Sequence, residues 1–247
     1  LLRKKIFTTI EINMCDRSME SMIVNFKGQS KMKEYFSHIS NIYGISRFLI
    51  NTSNCGVQLN PFPLYLGVDN SSFTTSNTSS LSDIVFIGSL IKRKNLDEVL
   101  DLAMQFTNLT FHIIGEGTMR KKLEERATNN VIFYGKLNYN EMVNILKKVD
   151  LNILLSRSEG FPKVILETAC VGVPSIIYSN YGANEWIDDS INGFLVNNFD
   201  DVIRVINQLL IDDKLLLKNS KGAYIMSCSY DWKKKIKLWE RAIGKLE

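Results

Sequence analysis

Histidine and cysteine are scarce in this sequence, and the scarcity closes off several chemistries. Two histidines, His38 and His112, leave little material for a His-rich metal site or a Ser-His-Asp triad. The four cysteines, Cys15, Cys55, Cys170 and Cys228, lie far apart with no Cys-x-x-Cys pair. That spacing excludes a zinc ribbon and weighs against a disulfide framework. No apolar run approaches the ~18 residues that a membrane-spanning helix needs. The opening Leu-Leu-Arg-Lys-Lys reaches charge too soon for a secretory signal, so the cytoplasm is the expected compartment. Nor is there a large charge of one sign. Thirty Lys and Arg against twenty-six Asp and Glu leave +4, too mild to indicate a nucleic-acid partner.

What is present is ordinary globular material: 247 residues, 45% apolar and 23% charged, enough for one large α/β domain or one domain plus a fragment. Residues 1–67 read irregularly. An apolar stretch at 6–12 is followed by 22–26, a helical pattern at 31–43, and short strand-like runs at 46–50 and 61–66. Residues 68–82, rich in Ser, Thr and Asn, read as an exposed linker. From Asp83 a regular alternation begins, with apolar runs at 83–87, 109–114, 131–134, 151–155, 175–178 and 193–196. Between and after them, helical spacing appears at 95–106, 118–127, 138–149, 163–171, 200–210, 214–226 and 232–246. Apolar strands alternating with amphipathic helices predict βαβ units, and hence a Rossmann-like doubly wound parallel sheet covered on both faces. The predicted division is a partial N-terminal domain at 1–67, the linker, a ligand-binding domain at 83–231, and a final helix at 232–247.

Ligands of such sheets bind beyond the carboxyl ends of the strands, so the loops there carry the functional reading. The first strand ends in Gly88-Ser-Leu-Ile-Lys-Arg-Lys-Asn95, three consecutive cations before a helix start. A helix N-terminus and a lysine together suit an anion such as phosphate, although a solvated basic turn explains the same residues. Gly115-Glu-Gly117 could be a phosphate loop but lacks the third glycine of a dinucleotide loop and the lysine of a P-loop; a tight βα turn accounts for it at least as well. In Ser156-Arg-Ser-Glu-Gly-Phe-Pro-Lys-Val-Ile-Leu-Glu167, two glutamates stand eight apart. Glu167 falls among apolar neighbours, where a carboxylate needs donors, and a ribose diol offers two. Both glutamates could instead cap helices or pair with Arg157 and Lys163. The acidic pairs Asp188–Asp189, Asp200–Asp201 and Asp212–Asp213 fall at loops and helix starts, where capping is their expected role.

These stretches together resemble the retaining GT-B glycosyltransferases of group 1 (family 4 type). The Glu-x7-Glu segment at Glu159 and Glu167 is similar to that family's motif. So, in order, are Gly-x-Leu-x-x-x-Lys-Asn at 88–95, Gly-x-Gly at 115–117, Phe-x-Gly at 133–135, Glu-Gly-Phe-Pro at 159–162 and Gly-x-Pro at 172–174. Asn-Gly-Phe-Leu-Val at 192–196 and Tyr-Asp-Trp at 230–232 complete the series. The resemblance covers residues 66–247 and implies a nucleotide-sugar donor-binding domain. It also implies transfer of a hexose from a UDP- or GDP-sugar to a glycan or lipid-linked acceptor, without metal or other cofactor. Lys94 would hold the diphosphate, Glu167 the ribose, and Glu159 the donor hexose, with Lys94 and Glu159 as the catalytic pair. Gly88, Ser89, Arg93, Ser156, Gly160, Phe161, Pro162 and Lys163 would line the sugar and phosphate pocket. Tyr134, Gly135 and Lys136 would meet the base.

Two departures stand against that pattern. The family's arginine after the first glycine is Ser89 here, and a hydroxyl does not replace a guanidinium fork. The segment before the linker is also far shorter than a whole acceptor domain. These features favour the alternatives of a non-catalytic or truncated nucleotide-sugar-binding module; a GT-B-fold epimerase is a further reading. From residue 214 on there are nine Lys or Arg against three acids, with Arg3-Lys-Lys5 as a second basic cluster. A solvated helical face explains these charges; the sharper expectation is weak peripheral contact with an anionic membrane face. The stripe Trp232, Ile236, Trp239 and Ile243 is expected to be interdomain core.

Overall fold

The computed structural model describes residues 7–15, 22–53, 55–70 and 80–244, and the chain divides into two compact units. The basic cluster at residues 3–5 and most of the expected linker, 71–79, lie outside the described residues.

The first unit holds the described residues up to Gly67, the short segment Glu159–Pro162 and the final helix. Its elements are β1 (Phe7–Ile10), α1 (Met22–Asn25), α2 (Gln29–Ser37), β2 (Asn41–Gly44) and α3 (Arg47–Thr52). β1 and β2 pair in parallel from Phe7↔Asn41 to Ile10↔Gly44. Alternation along these strands sends residues to two clusters. Ile10 and Ile42 pack with Met14, Met32, Phe36 and Val57, while Tyr43 packs with Leu64 and Ala242, next to Phe7. Three expectations fail here. Residues 46–50 are helical rather than strand-like, because the Ser46 hydroxyl accepts from the Leu49 amide and caps α3. The expected helix at 31–43 stops at Ser37 and gives way to β2, whose last three residues are buried and blend with the preceding apolar pattern. Residues 61–66 form no strand, though Leu64 N–H donates to the Gly44 carbonyl at 2.9 Å.

A fourth expectation fails as well: a disulfide joins Cys15 and Cys55, with their Cα atoms 5.5 Å apart. Both flank the Met14–Val57 cluster. Tertiary packing brings the two together across a separation of 40 residues, which no local spacing reveals.

The second unit spans Val68–Ser158 and Lys163–Asp231. It runs β3 (Asp83–Ile87), α4 (Leu96–Gln105), β4 (Thr110–Ile114), α5 (Arg120–Arg126), β5 (Val131–Gly135), α6 (Tyr139–Leu146), β6 (Leu151–Leu154), α7 (Lys163–Cys170), β7 (Ser175–Tyr178), β8 (Phe194–Val196), α8 (Phe199–Ile211) and α9 (Asp213–Ser229). The sheet is wholly parallel in the order β5-β4-β3-β6-β7-β8. That is the doubly wound order, with its reversal between β3 and β6. All four residues of both β6 and β7 are buried, as a sheet covered on both faces requires. Helices cover it with apolar stripes; α8 buries Val202, Val205, Ile206 and Leu209, each contributing ~1.5–3 kcal/mol. Helix starts are fixed by side chains, with a capping box of Asn138 and Glu141 on α6 and Asp212 accepting from Leu215 N–H on α9.

α10 (Trp232–Gly244) belongs to the first unit. Its buried side differs from the expected stripe. Ala242 is buried and Leu238 and Trp239 are partly buried against Tyr43 and Leu64, and the Trp239 indole donates to the Tyr65 carbonyl at 3.0 Å. Ile236 and Ile243, expected as core, are 43% and 50% exposed. The helix turns its 238/242 edge to the unit rather than its 236/243 edge, which a period of 3.6 alone does not choose.

Candidate functional site

In the second unit the strand order reverses between β3 and β6, so the loops leaving these strands diverge and frame a crevice. The β3 loop starts at Gly88, makes a single 3₁₀ turn at Lys92–Lys94 and ends at Asn95, whose φ of 55° is left-handed. Lys94 folds back toward the strand end: its Cε lies 3.7 Å from where a Cβ on Gly88 would be. Ser89 and Lys92 are exposed, while Arg93 and Lys94 are half-buried. The two switch-point loops are tied together. The Arg93 guanidinium donates to the Ser158 carbonyl at 2.6 Å, and Arg157 N–H donates to the Arg93 carbonyl at 2.9 Å. Arg93, expected to line the sugar and phosphate pocket, therefore already serves the loop joint.

Gly115-Glu116-Gly117 supports this loop from the β4 side. A Cβ on Gly115 would sit 1.9 Å from the Gly88 carbonyl oxygen, and one on Gly117 would sit 2.4 Å from that of Leu90. Leu90 N–H donates to Glu116 at 2.8 Å, and Met119 N–H donates to Leu90 at 2.9 Å. The two glycines are there for a backbone-to-backbone seam, as a tight turn requires, rather than as a phosphate loop.

The base-side candidates separate. Gly135, at φ +71°, and exposed Lys136 stand at the loop end of β5. The Tyr134 hydroxyl turns away into the sheet face, 2.9 Å from His112 Nδ1, while His112 Nε2 lies 2.8 Å from Asp83. Burial, and secondarily Asp83, raises the Tyr134 pKa. Sequence reading missed this chain; the alternation of residues 83, 85 and 112, 134 on one face is the signal that could have found it.

Beyond β6, Ser156 is fully buried and its hydroxyl has no hydrogen-bond partner, a cost of ~1–3 kcal/mol carried at this loop. Lys163 is exposed at the start of α7. One turn on, Glu167 is half-buried between Leu166 and Thr168, both at or near zero exposure. Burial raises its pKa, and the Lys163 charge only partly offsets this. No hydrogen bond from the chain reaches this carboxylate among the described residues. Glu159, Gly160, Phe161 and Pro162 group with the first unit. There Glu159 is 9% and Phe161 6% exposed, and the Phe161 and Tyr65 rings meet edge-on at 6.5 Å. A Cβ on Gly160 would lie 1.8 Å from the Glu11 carbonyl oxygen, so only glycine fits. Sequence reading also missed Asn95, Glu98, Tyr178 and Asn180, which surround a cavity on the β7–β8 half of the sheet.

Among the described residues, no three His, Cys, Asp or Glu side chains gather as a metal site would need.

Comparison with known proteins adds the family. A family model described as glycosyl transferases group 1 matches residues 71–226. An uncharacterised glycosyltransferase of Methanocaldococcus jannaschii is 24% identical over 216 residues, covering 85% of this chain and 61% of that protein. An Escherichia coli UDP-Gal:α-D-GlcNAc-diphosphoundecaprenol α-1,3-galactosyltransferase is 32% identical over 118 residues, covering 45% of this chain and 30% of that enzyme. Among solved structures, Anabaena HepE in complex with UDP and glucose is similar with a TM-score of 0.84 at 17% identity, covering 98% of this chain and 72% of that one. Staphylococcus aureus TarM aligns at a TM-score of 0.78 and 16% identity, covering 96% of this chain and 50% of that one. At these identities the structural likeness speaks for the GT-B fold. The chain spans about three fifths of the length of the Methanocaldococcus relative.

Proposed function

Because the chain belongs to the group 1 glycosyl transferases, we propose that its second unit binds the nucleotide-sugar donor of a retaining hexosyl transfer. The observation that carries this reading is Glu167: a half-buried carboxylate with a raised pKa and no hydrogen-bond donor from the chain. Such a group is costly unless it receives donors, and a ribose diol supplies two adjacent hydroxyls. Lys94, folded over Gly88 at the end of β3, supplies the cation for a diphosphate, and exposed Lys136 stands on the base side.

In the reaction, the bond between the anomeric carbon and the diphosphate oxygen breaks. A bond from that carbon to the acceptor hydroxyl oxygen forms on the same face, and the hydroxyl proton passes to the departing diphosphate. No electrons are exchanged and no protein nucleophile is needed. Lys94 acts where negative charge grows on the leaving group, and Glu159 near the positive charge at the anomeric carbon. No metal enters this scheme, and EDTA is expected to leave turnover unchanged.

UDP is favoured over GDP as the donor nucleotide, since HepE was solved with UDP and glucose. A lipid-linked or glycan acceptor is favoured by the Escherichia coli relative, whose name gives an α-D-GlcNAc-diphosphoundecaprenol acceptor. Weak peripheral contact with an anionic membrane belongs to the same reading; cosedimentation with anionic but not neutral vesicles at low salt checks it. A second reading, a nucleotide-sugar-binding module without turnover, draws on Ser89, exposed where the family places arginine. A thermal-shift panel of UDP-, GDP-, ADP- and dTDP-sugars tests the donor site, since a bound donor raises stability by RT ln(1 + [L]/Kd). If no sugar nucleotide raises Tm, the reading fails. Nucleotide release with donor and acceptor supplied separates the enzyme from the module.

A further inference from the structure

A cavity of about 300 Å³ opens on the β7–β8 half of the second unit. Asn95 and Glu98 of the α4 start reach it, as do Arg157 after β6, Tyr178 and Asn180 after β7, and residues 197–199 between β8 and α8. None of the donor-site candidates Gly88, Ser89, Lys94, Lys136 or Glu167 lines it. It lies across the strand-order reversal from β5, whose loop stands at the opposite end of the sheet.

The polar atoms around it are half-committed in a consistent way. The Tyr178 hydroxyl donates to Glu98 Oε2 at 2.6 Å, which orients the carboxylate and leaves its other oxygen open as an acceptor. Asn180 Nδ2 donates to the Arg157 carbonyl at 3.3 Å, leaving its Oδ1. Asn197 Oδ1 accepts from Ser179 at 2.6 Å, leaving its two N–H groups. Asn198 Oδ1 is held by the Asp201 amide at 2.9 Å, again leaving the N–H groups. Asn95 is the telling residue. It is 7% exposed, and its side chain makes no capping bond to α4. Its amide borders the cavity and is available to a ligand there.

The lining therefore offers both donors and acceptors, together with one carboxylate, one guanidinium and the rings of Tyr178 and Phe199. A phosphate site would gather cations, and a metal site would gather carboxylates. Four amides, one acid, one base and two aromatic rings instead match a group whose every hydroxyl both donates and accepts and whose ring faces are apolar. The volume is at the low end of ligand pockets, ~300–1,000 Å³, which suits one ring.

We propose that this cavity is a second carbohydrate subsite that holds one hexose ring of the acceptor glycan, separate from the donor nucleotide. The proposal rests on the glycosyl-transfer reading for the word acceptor, but not for the binding itself. The test titrates the full ¹⁵N-labelled chain with the methyl glycosides of glucose, galactose and N-acetylglucosamine, with and without saturating UDP. The expected result is millimolar binding that shifts the amide resonances of residues 95, 98, 180 and 197–199 and persists with UDP bound. Two variants complete the test. Asn95→Gly keeps the left-handed backbone that glycine tolerates, and Asn180→Ala trims an exposed side chain. Each is expected to raise the glycoside Kd at least tenfold and to leave UDP affinity unchanged. Absence of shifts at these residues with all three glycosides overturns the proposal. So do displacement by UDP, unchanged glycoside affinity in both variants, and inorganic phosphate shifting the same resonances more tightly. Failure of the donor reading shows separately, as UDP leaving the β3 and β5 loops unshifted.

Discussion

Replacing Glu167 by glutamine tests the donor site most directly, because it keeps the side chain's shape and removes its charge. If the carboxylate accepts two ribose hydroxyls, glutamine loses charge-assisted bonds worth together ~1.5–3 kcal/mol, which raises Kd by roughly 10- to 150-fold. The unliganded fold should not suffer. No hydrogen bond from the chain reaches this carboxylate among the described residues, and burial is the first cause of its raised pKa. The pH sign follows. A carboxyl whose folded pKa is raised binds more protons folded than unfolded, so its contribution to stability falls as pH rises from the ordinary carboxylate range through the raised value. Above that value wild type carries the burial penalty and Glu167→Gln does not, so the variant should melt no lower than wild type. Nucleotide affinity runs the other way. Ribose hydroxyls favour the ionised form, so UDP binding should weaken in wild type as pH falls through the raised pKa. The variant lacks that component and retains only the titration of the nucleotide's own phosphate. Calorimetry with UDP at neutral and mildly acidic pH, beside melting curves, reads all three effects. Equal UDP affinity in Glu167→Gln and wild type would refute the ribose assignment. A melting temperature several degrees lower would instead make the carboxylate structural.

Lys94→Ala should reduce turnover by ~10²-fold or more while changing sugar selectivity little, because the lysine meets charge that grows on the leaving diphosphate; steady-state kinetics with two donors checks this. Gly115→Ala forces a Cβ to 1.9 Å from the Gly88 carbonyl at a φ of +141°. It should cost ~2 kcal/mol or more in denaturant unfolding, weakening nucleotide binding through the β3 loop. Cys55→Ser should lower stability by ~2–4 kcal/mol under oxidising conditions, since the bridge closes a loop of 40 residues. The difference should vanish in a dithiol reductant; if it persists, packing rather than the bond carries the effect.

The second unit was largely legible from the chain because its physics is local. A parallel strand buried on both faces reads as an unbroken apolar run, as at Ile84, Val85 and Phe86, and a covering helix shows its stripe at 3.6-residue spacing. Capping chemistry at Asn138 and Asp212 is equally local. The loops after β3 and β6 could be named as candidates from the alternation of strands and helices alone, while the strand order that makes them neighbours came from the tertiary structure. The first unit was not legible: a four-residue strand at Asn41–Gly44 is too short for its period to show beside an adjoining helix. Which edge of α10 turns inward depends on Leu238 and Ala242 finding Tyr43 and Leu64, far away in sequence. The same holds at the site. Sequence could single out Glu167 as a carboxylate in apolar company. Only the tertiary structure decided that Arg93 closes on the Ser158 carbonyl, that Tyr134 turns to His112, and that Cys15 meets Cys55. Side-chain commitment is a matter of distances between distant parts of the chain, and folding alone sets them.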